Sequence, residues 1–349
     1  YRTLPNIGDE LSILGFGLMR LPVTKMGRID EPRTIGQIRD AIARGITYLD
    51  TAWPYHAGES ENVLGRAMAD GYRDKVKVAT KLPSWMIKKR EDMDFYLNAQ
   101  LEKLKTDHID YYLVHGLAGD PWDRLVSLDV MDFLNQANAD GRIVNAGFSF
   151  HGILDDFKRI VDAYPWIFCQ IQYNFLDEKN QAGTEGLKYA ASRELGVVIM
   201  EPLRGGNLGL PEPPPDVKAI WETAAERRTP VEWALRWIWN RPEVTVVLSG
   251  MNEEAHIEEN LAIAARARPA NAYVQVLDAE IERRAPGFLG RNLRRKRGRL
   301  TRAAETATAS RRPRQCVALA IRNRDDRVVE GRVDVGDRVD HMLFDLLFL

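Results

Sequence analysis

The stretch Ile46–Gly58, which reads ITYLDTAWPYHAG, indicates how the chain folds. It opens with β-forming residues and reaches a carboxylate at Asp50, where a strand is expected to end. Pro54 then requires a turn, and Tyr55 follows it immediately. Loops at strand ends carry chemistry more often than strands do, so this stretch is a candidate site. The alternative is that both residues are structural: Asp50 caps a turn, and the Tyr55 side chain packs against its neighbours.

The same organisation extends over residues 11 to about 267, where short apolar runs alternate with helical patterns. The runs predict strands at 11–18, 46–50, 76–81, 110–115, 143–149, 168–173, 197–201 and 244–249. Helices are predicted at 34–44, 60–68 with Ser60 as the cap, 92–105, 125–140, 154–163, a segment ending at 194, 230–240 and 253–265. Eight strand-and-helix units predict an α/β fold, a parallel (β/α)8 TIM barrel.

A doubly wound parallel sheet is the alternative fold. Such a sheet would need a phosphate-binding glycine loop, and the sequence Gly15-Phe16-Gly17 lacks the third glycine of the dinucleotide fingerprint. We therefore interpret these glycines as a tight turn. The chain also contains no P-loop and no HExxH motif.

The composition is that of an ordinary soluble protein. The 349 residues carry a net charge of -1, which gives no electrostatic argument for binding nucleic acid or a membrane surface. No apolar run approaches the roughly 20 residues of a membrane span. Two cysteines, Cys169 and Cys316, are too few for a disulfide framework or a cysteine-rich metal site. We therefore expect a cytoplasmic protein without a metal.

The tail, residues 286–349, differs in composition from residues 1–285, the expected barrel domain. It holds 15 of the 49 lysines and arginines but only 8 of the 50 acidic residues. Its run RNLRRKRGRLTR is typical of a solvated or disordered segment, and less often of a nucleic-acid patch. The apolar run Met342–Leu349 would also suit a frame-shifted terminus. The sequence leaves these interpretations open, and we expect an irregular basic tail in which residues 291–310 are flexible.

Polar side chains end three successive predicted strands. Asp50, Lys81 and His115 stand at the ends of the second, third and fourth strands, and Tyr55 follows in the loop after the second. A lysine at a strand end usually faces solvent, and a lone histidine is more often a hydrogen-bonded structural residue than a catalyst. In a parallel barrel, however, the carboxyl ends of the strands meet on one face, so these residues would share a pocket.

These residue types suit proton transfer to a carbonyl oxygen. A free tyrosine has a pKa of about 10, and we expect the Lys81 cation to lower the pKa of the Tyr55 phenol. Asp50 would keep the lysine charged and aimed, while His115 would hydrogen-bond the substrate oxygen. Tyr55 would then donate a proton as negative charge develops on that oxygen. No side chain supplies hydride, and a nicotinamide cofactor is its natural source.

At these residues the chain resembles the aldo-keto reductases. LDTAWPYHAGESE, ATK and YYLVH resemble the segments in which that family carries its catalytic Asp, Tyr, Lys and His. The resemblance continues through GFS, CQIQYN, MEPLRGG and SGMNEEAHIEEN, and it covers residues 1–267. It implies a catalytic tetrad of Asp50, Tyr55, Lys81 and His115 and an NADP-dependent oxidoreductase that reduces an aldehyde or ketone to an alcohol.

The resemblance also implies where the nucleotide binds. Ser149 and Gln170 would hold the carboxamide, and Met200 would occupy the position where many members stack an aromatic ring on the nicotinamide. Leu203 and Gly205 would lie along the pyrophosphate. Around the adenosine end would lie Gly250, Asn252, Glu259 and Asn260, and the implied set is completed by Met19 and His256.

Two departures from the family pattern affect the cofactors. His256 stands where some members place an arginine on the 2′-phosphate, so NADP(H) is expected with NAD(H) as the alternative. The sequences of these motifs are most similar to those of a bacterial and archaeal subgroup that carries a C-terminal ferredoxin-like segment. Iron–sulfur clusters need several closely spaced cysteines, and the tail contains only Cys316. No iron–sulfur cluster is therefore expected.

Three functions remain open at this point. The first is an NAD(P)H-dependent carbonyl reductase acting on a small molecule, as a monomer or small homo-oligomer. The second is a nucleotide-binding, redox-sensing regulatory module in which turnover is incidental. The third is an unrelated barrel hydrolase that uses Asp50 and another carboxylate, which would leave Lys81 and Tyr55 without roles. No membrane or nucleic-acid partner is expected.

Overall fold

A closed barrel of eight parallel strands forms the centre of the chain, which confirms the predicted fold. The computed structural model describes residues 1–224, 226–267, 319–322 and 328–331. A short antiparallel pair, β1 (Arg2–Thr3) and β2 (Glu10–Leu11), precedes the barrel. The barrel strands are β3 (Leu14–Gly17), β4 (Tyr48–Asp50), β5 (Lys77–Leu82), β6 (Ile109–Leu117), β7 (Ile143–Phe150), β8 (Phe168–Gln172), β9 (Gly196–Met200) and β10 (Val244–Ser249). β10 pairs with both β9 and β3, so all eight carboxyl ends lie on one face.

Helices follow the strands along the chain. They are α1 (Glu31–Ala43), α2 (Ser60–Ala67), α3 (Arg90–Leu104), α4 (Gly119–Val126), α5 (Val130–Ala139), α6 (Leu154–Ala163), α7 (Gly183–Ser192), α8 (Pro215–Trp221), α9 (Pro230–Trp239) and α10 (Glu254–Ala265). Capping explains two of the starts. The Asp30 side chain accepts a hydrogen bond from the Arg33 N–H, and Thr229 accepts one from the Glu232 N–H. Each cap satisfies a backbone donor that the helix itself leaves unpaired.

Two apolar cores hold the barrel together. The larger core lies between the strands and the helices, where residues such as Ile38, Leu97 and Phe157 are fully buried. The smaller core fills the barrel interior with side chains that include Tyr48, Tyr111 and Phe168. Layers of bulky side chains inside a barrel make it a packed body, so binding must take place at the strand ends.

Two details of the predicted helices are wrong. The helix expected at 125–140 begins too early: α5 starts at Val130, residues 125–126 end the separate helix α4, and Asp129 between them adopts the left-handed conformation with φ of +58°. Ser60 does not cap α2; Glu59 precedes the helix, and the buried Ser60 hydroxyl donates to the Leu18 backbone oxygen. Ser60 therefore ties α2 to the loop that follows β3.

The chain divides into two compact units, Tyr1–Arg284 and Ala285–Leu349. Within the second unit, β11 (Leu319–Arg322) and β12 (Val328–Gly331) form an antiparallel pair that the sequence did not predict. The expectations about flexibility at 291–310, about Cys316 and about the apolar run 342–349 concern residues outside the described part of the chain. Among the described residues, no helix is long and apolar enough to cross a membrane.

Gly65 marks the closest approach between α2 and the end of α3, and we predict that Gly65→Ala destabilises the protein. A Cβ atom at this position would lie 2.4 Å from the Lys103 backbone oxygen, so one helix must shift. We expect a loss of about 1–3 kcal/mol in the free energy of unfolding, the usual cost of overpacking. Chemical denaturation followed by circular dichroism measures it.

The matched control is Gly36→Ala in α1, where a Cβ atom would meet nothing within 4 Å. This variant should gain roughly 0.5–1 kcal/mol, because alanine is the better helix former. Equal denaturation midpoints for the two variants would contradict the predicted contact between α2 and α3.

Candidate active site

Lys81 and Asp50 form a buried ion pair at the carboxyl ends of the neighbouring strands β5 and β4. The Lys81 Nζ donates hydrogen bonds to Asp50 Oδ1 and to the Thr51 backbone oxygen, each at 2.7 Å. The two charged side chains are 1% and 3% exposed. Burial lowers the pKa of Lys81, but Asp50 and Tyr55 together raise that pKa by more, so the ammonium group keeps its charge.

Tyr55 lies in a short 3-10 turn after β4, with its ring centre 5.1 Å from the Lys81 Nζ. Burial raises the pKa of the phenol, and the charge of Lys81 lowers it by less. The predicted lowering of the Tyr55 pKa is therefore wrong in its net direction, because desolvation of the phenolate outweighs the nearby cation. The hydroxyl keeps its proton at neutral pH, as a proton donor must.

His115 lies in β6, with its ring centre 6.2 Å from that of Tyr55 and the two rings nearly perpendicular. Burial lowers the pKa of His115 well below its ordinary value, and the charges of Lys81 and His151 lower it further. The imidazole is therefore neutral near pH 7. Its Nδ1 is buried without a hydrogen-bond partner among the described residues, which leaves this nitrogen available to a ligand oxygen.

Ser149, Gln170 and Met200 form a second group of side chains, on β7, β8 and β9. Ser149 and Gln170 are register partners, and the Ser149 hydroxyl accepts a hydrogen bond from the Gly116 N–H at 2.8 Å. The Gln170 Nε2 contacts the Met200 sulfur at 3.7 Å. The Gln170 Oε1 is buried and has no partner in the described part of the chain. An unpaired buried acceptor beside a hydroxyl fits the amide group of a nicotinamide.

The loop after β9 contains the residues implied along a pyrophosphate. Leu203 is partly buried and packs against the larger core. Gly205 is exposed, with φ of +68°, a backbone conformation that other residues rarely adopt. Met19, in the loop after β3, is about half exposed at 51%. These residues therefore flank the open end of the barrel.

Three residues implied at the adenosine end follow β10, two in the loop before α10 and one in the first turn of that helix. Gly250 is exposed and Asn252 is partly buried. His256 is exposed in the first turn of α10. The amino-terminal turn of a helix favours an anion through its backbone N–H groups and its dipole, so a phosphate beside His256 would be compatible with this location.

The other two implied residues, Glu259 and Asn260, already have partners. The Glu259 Oε1 accepts a hydrogen bond from the Thr229 hydroxyl at 2.7 Å. Asn260 is 3% exposed, and its Nδ2 donates to the Ser249 hydroxyl at 2.9 Å. The structure thus brings Asn260 to the end of β10, inside the protein, where it supports the strand.

Sequence reasoning missed three residues at this face: Arg20, His56 and His151. Arg20 directly follows Met19 in the loop after β3, and His56 directly follows Tyr55. His151 directly follows β7, and burial lowers its pKa. Polar residues two positions after the end of a predicted strand are the signal that would have found Arg20 and His151.

One wall of the site is apolar. Trp85 lies 5.1 Å from His115 between ring centres, yet its side chain remains 47% exposed. Trp85 and Met86 face Trp53 across a cleft of about 420 Å³. Lys103 also lines this cleft, but its Nζ is 3.6 Å from the centre of the Trp53 ring and donates to the Gly58 backbone oxygen. The cleft therefore offers the apolar surface of Trp53, Trp85 and Met86 together with the exposed carboxylate of Glu59.

The profile of the Aldo/keto reductase family matches residues 13–276. Aldo-keto reductase YhdN of Bacillus subtilis is 30% identical over 223 residues, which are 60% of this chain and 63% of the relative, so the chain spans less than two thirds of that relative's length. Probable aldo-keto reductase 1 of Glycine max is 26% identical over 294 residues, covering 74% of this chain and 82% of the relative.

Solved structures show the same fold. The holo form of aldo-keto reductase AKR11C1 from Bacillus halodurans has a TM-score of 0.66 at 23% identity, covering 77% of this chain and 92% of that one. An aldo-keto reductase from Klebsiella pneumoniae in complex with NADPH has a TM-score of 0.65 at 20% identity, covering 81% and 94%. Because the family profile matches most of its length, the chain belongs to the Aldo/keto reductase family.

Proposed function

We propose that the protein is an NADP(H)-dependent reductase that converts the carbonyl group of an aldehyde or ketone to an alcohol. The observation that carries this proposal is the buried ion pair between Lys81 and Asp50 beside the protonated phenol of Tyr55. When bound, NADPH supplies the hydride, which no side chain can supply. Tyr55 supplies the proton to the carbonyl oxygen.

Each residue of this group has a separate task. His115, neutral and with an unpaired nitrogen, holds the carbonyl oxygen by a hydrogen bond and so orients it toward Tyr55. The Lys81 cation favours the phenolate that remains after the proton leaves, because opposite charge stabilises the charged form. Asp50 keeps the ammonium group in place through the 2.7 Å hydrogen bond. Tyr55 is therefore an acid whose phenolate lies beside the positive charge of Lys81.

The nucleotide would bind along β7 to β10. Ser149 and Gln170 would hold the carboxamide, which the unpaired Gln170 Oε1 supports. Met200 would lie against the nicotinamide ring, and Leu203 and Gly205 along the pyrophosphate. Binding of NADPH by the Klebsiella pneumoniae protein of the same fold also supports this cofactor.

The two alternatives gain no support from the contacts. A hydrolase with paired carboxylates would need a second acidic side chain against Asp50, but among the described residues Asp50 pairs with a lysine. A purely regulatory module would not need the proton donor and its cation. The apolar side chains of Trp85 and Met86 instead favour a substrate whose carbonyl group carries an apolar substituent.

We predict that Tyr55→Phe lowers turnover by ~100-fold or more, the usual scale for a lost general acid. NADPH binding should change by only a few fold, because the nucleotide is held by other residues. The measurements are NADPH oxidation with an aldehyde panel and a titration of protein fluorescence with NADPH. Tyr72→Phe, a partly buried tyrosine away from the site, is the control and should retain full activity. Retained aldehyde reduction in the Tyr55 variant would exclude Tyr55 as the proton donor.

A second prediction concerns pH. In the oxidative direction, from alcohol to carbonyl, Tyr55 must be phenolate, so the rate rises as pH passes its pKa. Lys81 lowers this pKa, although burial raises it by more. Lys81→Met should therefore move the midpoint of the acid limb to higher pH and reduce the rate at neutral pH. The profile of alcohol oxidation against pH measures the shift.

Lys77→Met, at the other end of β5 with its side chain 40% exposed, is the matched control. The acid limb of its pH profile for alcohol oxidation should coincide with that of the unmodified protein. If the limb also stays in place in the Lys81 variant, Lys81 does not tune the phenol.

A third prediction concerns cofactor preference. NADPH should bind more tightly than NADH by a modest margin, because a histidine cannot hold a phosphate through the two parallel hydrogen bonds that an arginine makes. His256→Arg should widen the margin, since arginine can hold a phosphate through two hydrogen bonds. Dissociation constants for both nucleotides test it. The control is Ala255→Arg, which adds the same charge to the same turn and should leave the ratio of the two dissociation constants closer to that of the unmodified protein. If the unmodified protein and both variants give the same ratio, His256 does not face the 2′-phosphate.

A further inference from the structure

Glu61, in the first turn of α2, is a buried carboxylate to which the proposed reaction gives no task. Its side chain is 0% exposed, and among the described residues its polar contacts are all with hydrogen-bond donors. The Thr80 hydroxyl and the Gln100 Nε2 each donate to Glu61 Oε1 at 2.7 Å. The Lys103 Nζ lies 3.4 Å from the other carboxylate oxygen. Because a buried carboxylate without its donors is strongly unfavourable, Glu61 holds β5 and α3 against α2.

The first half of this network lies directly behind Lys81. Successive side chains of a strand point to opposite faces, so Thr80 points toward the helices while Lys81 points into the site. Gln100, from α3, donates to the Lys81 backbone oxygen at 3.0 Å and to the Thr80 hydroxyl at 3.2 Å. The Tyr112 hydroxyl donates to Gln100 Oε1 at 2.9 Å, which fixes the orientation of the amide. The backbone that carries the Lys81 side chain is therefore held from the helix side.

The second half of the network holds the turn that carries Tyr55. The three residues after Tyr55 have φ of +51°, +55° and +90°, and the first two of them are not glycine. A left-handed backbone of this kind persists only where the surrounding structure fixes it. The Lys103 Nζ donates to the Gly58 backbone oxygen at 3.1 Å and lies 3.6 Å from the centre of the Trp53 ring. Lys103 therefore contacts the chain on both sides of Tyr55.

One face of α3 connects the two halves. Gln100 and Lys103 are three residues apart in this helix, so their side chains lie on the same side of it. Gln100 holds the end of β5, Lys103 holds the turn, and Glu61 is bonded to both. The distance of 5.1 Å between the Lys81 Nζ and the centre of the Tyr55 ring thus depends on contacts outside the barrel.

We propose that Glu61, Gln100 and Lys103 form a positioning network that holds the Tyr55 turn against the end of β5 and so fixes the phenol beside the Lys81 ammonium group. This inference rests on the proposed function, because it assumes that Tyr55 exchanges a proton with the substrate. The three residues act through the backbone of Lys81 and of the turn, and the chemistry remains with Tyr55.

The test compares three variants of the full chain that alter the charge of the network differently. Lys103→Met removes a positive charge, Glu61→Gln removes a negative charge, and Gln100→Met removes none. In each variant the phenol is held less closely to Lys81, so the cation lowers the pKa of Tyr55 by less. The acid limb of alcohol oxidation should therefore move to higher pH in all three. Turnover at neutral pH should fall by about 10- to 100-fold, the scale for misplaced reacting groups.

An effect of charge alone would give a different pattern. Loss of the Lys103 cation would raise the pKa of the phenol, loss of the Glu61 carboxylate would lower it, and Gln100→Met would leave it in place. A purely structural role would lower the temperature of thermal unfolding, measured by circular dichroism, without moving the acid limb. A shift in the same direction in all three variants is therefore specific to positioning.

Two further variants serve as controls. Lys105→Met removes the same charge from an exposed lysine at the end of α3, and its acid limb should stay in place. Lys103→Arg keeps the charge and the donors and should recover part of the turnover. The dissociation constant for NADPH should be unchanged throughout, because no member of the network lies on β7 to β10. If Glu61→Gln does not fold, Thr80→Val replaces it, since this variant removes a donor to Glu61 without changing charge.

The outcomes separate the inference from the proposed function. If the unmodified protein neither reduces aldehydes nor oxidises alcohols, the proposed function fails, and this inference fails with it. If the unmodified protein is active and the acid limb stays in place in the network variants, these residues do not position the phenol. Limb shifts of opposite sign for Lys103→Met and Glu61→Gln would also overturn the inference. A loss of NADPH affinity as large as the loss of turnover would do so too, because the damage would not concern the proton donor.

Discussion

The ion pair between Lys81 and Asp50 is the interaction on which the site depends. Both groups are almost completely removed from water, which costs each charge several kcal/mol of hydration. The 2.7 Å contact and the second hydrogen bond from Lys81 to the Thr51 oxygen offset that cost. A pair of this kind does not need to stabilise the fold. Its consequence is a fixed positive charge at the carboxyl end of the barrel.

That charge and its buried setting determine the protonation of the neighbouring groups. Burial keeps the phenol of Tyr55 protonated, while Lys81 moderates the effect. The same cation joins burial in keeping His115 neutral. A protonated phenol, a neutral imidazole and an ammonium group therefore lie together at the carboxyl end of the barrel. Desolvation gives the acid and the imidazole their protonation states, and the ion pair gives the site its polarity.

The proposed nucleotide site depends on more distant parts of the chain. Ser149, Gln170 and Met200 come from three consecutive strands, and the loops with Gly205 and Gly250 follow the last two strands of the barrel. No short motif could form this surface alone. The closed sheet brings these residues together. Because side chains fill the barrel interior, a ligand can contact them only at the open face.

The sequence by itself determined the barrel and the positions of Asp50, Lys81 and His115. Buried strands appear as local apolar runs, and parallel connectivity puts their carboxyl ends on one face, so local information was sufficient. Only the tertiary structure decided the net direction of the Tyr55 pKa, since desolvation depends on what surrounds the phenol. It also decided the break at Asp129, whose backbone conformation no pattern indicated. The contacts of Glu61 with β5 and α3 were likewise invisible, because they depend on the packing of remote segments and not on neighbouring residues.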